Sequence, residues 1–162
     1  MNGNKSFRIG AEVVLRMMLG AIFMAAGFSK LIRPSEYFQI VIGLYEIVPA
    51  RLIPTVANVF PWLEFVFGFN LLVGYASRKS AAAVTILAFM FFLVLTQAFV
   101  RQLPLYDCGC FGDAFHFKIW QSMIADGIMV LVGLWLSAIP ASFPFSLDRW
   151  IESSSENDPI ES

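Results

Sequence analysis

Apolar residues run along this chain in four long blocks, each able to cross a bilayer as a helix. Two charge-free runs of 21 residues lie between Lys79 and Arg101 and between Asp126 and Asp148. A helix rises about 1.5 Å per residue, so roughly 20 apolar residues span a hydrocarbon core. These runs predict a third and a fourth membrane helix near 80–100 and 119–139. Two further blocks, about 9–32 and 55–75, predict the first and second, although the first carries Glu12, Arg16 and Lys30 and the second carries Glu64.

The stretch 34–54 is too polar to span and too apolar for a free loop. Tyr37, Val41, Leu44 and Val48 recur at three- to four-residue spacing, with Glu36 and Gln39 off that stripe. This predicts a short amphipathic helix lying in the interface, opened near Pro34 and stopped by Pro49; a plain connecting loop is the alternative. The turn 76–79 is short, which makes the second and third helices antiparallel neighbours. Residues 149–162 are expected to form a disordered acidic tail, because 152–162 hold four acids, many serines and no apolar pattern. The expected fold class is therefore an all-α membrane protein: one domain over 1–148, a four-transmembrane-helix bundle with a short interfacial helix between helices one and two.

Composition agrees. Hydrophobic residues make up 58% of the 162 and charged residues 14%, against about a quarter charged in soluble domains, so lipid is the main solvent. A net charge of −1 gives no basis for nucleic acid as a partner. Lys5 and Arg8 precede an apolar run ending in Ala25-Ala26-Gly27, as in a signal peptide, but Arg16 interrupts its core and a retained helix is expected. Basic residues are balanced between the two sides. Arg78-Lys79, in a short turn without acids, breaks the tie and predicts both termini in the cytoplasm. The loop between helices three and four then lies at the outer face.

A charge inside a membrane helix costs about 2.5–3.5 kcal/mol or more, so it normally faces a partner or a cavity. At about 100° per residue, Arg16, Gly20, Gly27 and Lys30 share one face of the first helix. Glu64, Gly68 and Tyr75 share a face of the second, with Pro61 beside them, and Ser122, Asp126, Gly133 and Ser137 do so on the fourth. Glycine on a charged face admits a neighbouring helix. The third helix is nearly featureless until Thr96, Gln97 and Arg101. Glu64 and Asp126 lie about 10–14 Å below the face that carries the third loop, Lys30 near that face and Arg16 nearer the opposite one. The expected cluster is Glu64 and Asp126 with Lys30 or Arg16. It is either an ion pair that fixes helix register or a polar pocket, opened by a kink at Pro61, that accepts protons or orients a head group.

Both cysteines stand in that third loop, in the run Asp107-Cys108-Gly109-Cys110-Phe111-Gly112. A thiolate attacks disulfides, and a second thiol nearby resolves the mixed disulfide. A bond between Cys108 and Cys110 would close a tight, strained and labile ring that constrains little chain, so it makes a poor staple. Three readings stay open. The pair is a redox-active dithiol; or it holds a metal with Asp107, Asp113 or the lone His116, short of the four strong ligands of a closed zinc site; or the cysteines are free or bridge to a partner. No glycine-rich phosphate loop, no Ser/His/Asp set with a choice of histidines and no histidine pair for haem competes with them.

The spacing Arg16-x3-Gly20-x2-Phe23-x2-Ala26-Gly27-x2-Lys30, followed by Pro61-x2-Glu64-x3-Gly68, resembles the DoxX family of four-helix membrane proteins, and the loop 107–112 resembles its MauE branch. The resemblance covers about 16–137. It implies a four-helix bundle in the bacterial inner membrane and a place in periplasmic redox or maturation work. MauE proteins are associated with methylamine utilisation and disulfide formation in the dehydrogenase small subunit, and DoxX-related proteins with thiosulfate:quinone oxidoreduction. The architecture is also similar to the quinone-linked thiol oxidases of the DsbB and vitamin K epoxide reductase type, from which this chain departs by lacking a second cysteine pair. On this resemblance Cys108 and Cys110 are the catalytic thiols, and Arg16, Lys30, Glu64 and Asp126 line a pocket for which a quinone is the candidate cofactor. The partners are then the lipid bilayer and a thioredoxin-like or substrate protein. The competing expectation is a non-catalytic accessory subunit or assembly factor of a membrane electron-transfer complex.

Overall fold

The computed structural model describes residues 3–103 and 119–138, which are helical with no strand among them. The elements are α1 (Gly3–Leu31), α2 (Ser35–Leu44), a 3-10 turn (Ala50–Leu52), α3 (Ile53–Val73), α4 (Ser77–Val100) and α5 (Ile119–Ala138). Among the described residues, four segments are long and apolar enough to span: Ile9–Leu31, Ala50–Val73, Ser77–Val100 and Ile119–Ala138. The chain is a multi-pass, all-α membrane protein. The expected tail 149–162 lies outside the described residues.

The bundle is built as two close helix pairs, α1 on α3 and α4 on α5, joined mainly through α3 and α4. Glycine makes the first seam. A β-carbon at Gly68 would stand 2.5 Å from the Met24 nitrogen, and one at Gly27 2.6 Å from the Phe65 nitrogen and 2.7 Å from the Pro61 oxygen. Backbone meets backbone there, and neither side can yield without parting the helices. Gly68→Ala should therefore cost about 1–3 kcal/mol by overpacking, read as a lower midpoint when the purified protein is unfolded by detergent titration. Unchanged stability would mean that the seam is looser than these distances. In the second pair, Gly133 faces Thr85, and Ala81, Val84 and Ala88 join Leu136 in the main core with Leu19, Phe23 and Leu71. The helix that looked featureless from its sequence thus presents small residues to α5. Large apolar side chains such as Met18, Phe28, Trp62 and Leu131 point outward, the surface that lipid would cover.

Boundaries shift where backbone geometry overrides the apolar pattern. Gly74, left-handed at φ 81°, ends α3, and its N–H and that of Tyr75 both donate to the Asn70 oxygen at 2.9 Å. Tyr75 is consequently half-exposed in the turn rather than on the inward stripe predicted for it. Ala76 is also left-handed, and α4 starts at Ser77, three residues ahead of the charge-free run. Arg78 and Lys79 stand in its first turn, where the helix dipole disfavours cations. Arg78 compensates by donating from Nε to the Ser137 oxygen at 3.1 Å, at the C-terminal end of α5, where positive charge is favoured.

The short helix after Pro34 exists, but its buried face differs from the predicted stripe. Phe38, Val41, Ile42 and Tyr45 turn inward, whereas Tyr37 and Leu44 are exposed. The helix is apolar on almost every side, so two stripes fit a 3.6 period and spacing alone could not choose between them. It also ends at Leu44, five residues short of Pro49, where Glu46 adopts a left-handed φ of 53°.

Candidate functional site

Lys30 and Glu64 meet at the end of the glycine seam nearest α2. With Gly27 seated on Pro61 and Phe65, the next turn of α1 sets Lys30 beside Glu64. Lys30 Nζ donates to both carboxylate oxygens, at 2.7 and 2.8 Å, and the two side chains are only 5% and 1% exposed. The ammonium also lies 5.0 Å from the ring centre of Phe91 and 5.3 Å from that of Phe38. Aromatic faces attract a desolvated cation, so the pair is enclosed by a carboxylate on one side and π-systems on others.

Asp126 of α5 is buried and lines a cavity of about 20 Å³ together with Lys30 and Glu64. Three of the four sequence-predicted pocket residues therefore converge. Arg16 does not join them. It is buried too, but it stands fourteen residues before Lys30 on α1, about 21 Å along the axis, and lines neither cavity described here. Glu12, four residues from Arg16 and on the same face, is buried at that level. Arg16 and Asp126 each take part in a further interaction.

Sequence reasoning missed a second and larger cavity, of about 180 Å³, on the other side of Lys30. It is a wedge between α3 and α4 roofed by α2, with Phe38, Val41 and Tyr45 above and Phe60, Phe91 and Val94 around it. Phe60 and Phe91 meet edge to face, 6.3 Å between centres. No motif announces such a space, because its walls come from four separate elements and its lining is ordinary apolar sequence.

Cys108 and Cys110, with Asp107, Asp113 and His116, lie outside the described residues. The two ends of the segment that carries them are described. Leu103 and Ile119 both pack on the cluster formed by Tyr45, Leu95 and Ala98, with Val41, Val94 and Met123 against it. Beside it Arg101 pairs with Glu46 at 3.1 Å, a bridge with side chains 45% and 63% exposed and worth about 0–1 kcal/mol. The segment therefore leaves and re-enters the bundle at the end occupied by α2 and Lys30.

Residues 10–139 match the family model described as methylamine utilisation protein MauE. A relative from Paracoccus denitrificans, named methylamine utilization protein MauE, is 27% identical over 135 residues, which cover 82% of this chain and 72% of that one. No solved structure matches the chain.

Proposed function

We propose that this chain, which belongs to the MauE family of methylamine utilisation proteins, serves redox maturation from within the membrane, with Cys108 and Cys110 as exchanging thiols. The observation that carries the proposal is the shared anchor of Leu103 and Ile119. It supports a cysteine segment that begins and ends at one face of the bundle, within reach of a soluble protein. A thiolate of the pair attacks the disulfide of a thioredoxin-like partner and releases one partner thiolate. The second cysteine then displaces the other partner sulfur, leaving a Cys108–Cys110 disulfide and a reduced partner. Two electrons pass to the partner and no outside oxidant is needed; the reverse reaction oxidises the partner.

Placement in the bacterial inner membrane, with the termini in the cytoplasm, belongs to the same proposal and is supported by Arg78 and Lys79 at the short turn. Kinship with the wider DoxX group belongs to it as well. Its support is that the Arg16–Lys30 and Pro61–Gly68 spacings supply the two sides of one glycine seam. Labelling intact cells with a membrane-impermeant maleimide tests the reading. Label should enter Cys108 and Cys110 only after prior reduction. Labelling that needs permeabilised cells would refute the outward placement, and labelling indifferent to reductant would refute the cycling pair.

A second reading is an accessory subunit or assembly factor without chemistry of its own. It is favoured by the closed geometry of Lys30 and Glu64, which holds helices together without needing a substrate. Stoichiometric partners on purification, with cysteines that never change redox state, would decide for it.

A further inference from the structure

We infer that the cavity beneath α2 is a binding site for a single flat ring bearing a carbonyl oxygen, drawn from the membrane phase. The inference concerns binding alone and goes beyond the thiol proposal, since it holds whether or not Cys108 and Cys110 react.

Size comes first. An engineered apolar cavity of about 150 Å³ holds benzene, so about 180 Å³ admits one substituted six-membered ring. Shape follows from the walls. Phe38, Phe60 and Phe91 supply aromatic surface for a planar guest, and a flat ring stacks on such faces better than a kinked chain does. The polar handle is Lys30, the only charged residue of the lining among the described residues. An ammonium carries three donors. Two are spent on Glu64, and the third is left to the aromatic faces and to whatever enters the cavity. A carbonyl oxygen accepts from that N–H, whereas a hydrocarbon leaves it without a strong acceptor. Glu64 holds the ammonium in place, so the donor is fixed before the guest arrives.

Position gives the site a consequence. Val41, Tyr45, Val94 and Leu95 line the cavity and also belong to the cluster that anchors Leu103 and Ile119, the two ends of the cysteine segment. A guest that props α2 away from α4 presses on those anchors.

The test uses the full chain, purified in detergent, with saturable thermal stabilisation as readout. Three probes are compared: duroquinone; durene, which is the same tetramethyl ring without oxygens; and n-decane. Duroquinone should stabilise the protein saturably at concentrations at least tenfold below durene, and n-decane should not saturate. Val41→Phe and Val94→Phe, each filling the cavity from a different wall, should abolish the effect. The paired change Lys30→Met with Glu64→Met should reduce duroquinone to the level of durene. Cys108→Ser with Cys110→Ser should leave ring binding intact, which separates this site from the thiol proposal. Durene equal to duroquinone would overturn the carbonyl recognition. Saturable n-decane binding would assign the cavity to lipid chains, and stabilisation that survives both filling variants would place the ligand elsewhere; either result overturns the proposal.

Discussion

Lys30→Met alone should destabilise the bundle by about 3–5 kcal/mol, because it leaves Glu64 buried without its cation. Glu64→Met should cost less, toward the lower end of the same range. Lys30 stands in the last turn of α1, and its long side chain can carry the ammonium to the membrane surface when its partner is lost. Glu64 has no such escape. It lies eleven residues into α3, about 16 Å from the helix start, on a short side chain facing the α1 seam. The double variant should recover most of the loss and reach or exceed the original stability, since two apolar side chains of similar length remove both desolvation penalties. Phe38, Phe91 and Ile22 already surround that volume with apolar surface. Unfolding by detergent titration, followed through tryptophan fluorescence, measures all three. A double variant as unstable as Lys30→Met would sink the claim that mutual neutralisation is what the pair supplies. Thiol exchange that survives the double variant would remove Lys30 and Glu64 from the exchange mechanism.

Cys108→Ser and Cys110→Ser should each lower exchange with a reduced or oxidised thioredoxin by on the order of a hundredfold or more, because a thiolate must attack and a second thiol must resolve. The two variants should nevertheless differ. Whichever retains the attacking cysteine accumulates a mixed disulfide with the partner, and the other does not. Non-reducing gel electrophoresis after mixing the purified proteins shows this directly. Exchange at the original rate in both variants would remove the cysteine pair from the mechanism. The family membership and the bundle would stand, and the accessory reading would take its place.

Some of this site was legible in the sequence. A charge in a membrane helix must find a partner, so Lys30, Glu64 and Asp126 were predictable as inward-facing, and glycine on the same faces marked where helices touch. Angular position follows from 3.6 residues per turn and needs no neighbour. Axial register does not follow. Whether Glu64 meets Lys30 or Arg16 depends on which turns of α1 and α3 lie side by side, and backbone contact at Gly20, Gly27 and Gly68 decides it. The face of α2 was illegible for a related reason. Tyr37 and Phe38 are both aromatic and adjacent, and only the wedge between α3 and α4 selects Phe38.

Residue order is enough to establish a four-span helical membrane protein whose intramembrane charges face inward and whose two thiols share one loop. Those conclusions need only the cost of moving charge into hydrocarbon and the period of a helix, both local properties of the chain. Only the packed helices reveal that Lys30 rather than Arg16 answers Glu64, that α2 buries Phe38 and Tyr45, and that a cavity of about 180 Å³ lies beneath it. Each of those depends on how separate helices are shifted along one another, and a one-dimensional pattern carries no record of that shift.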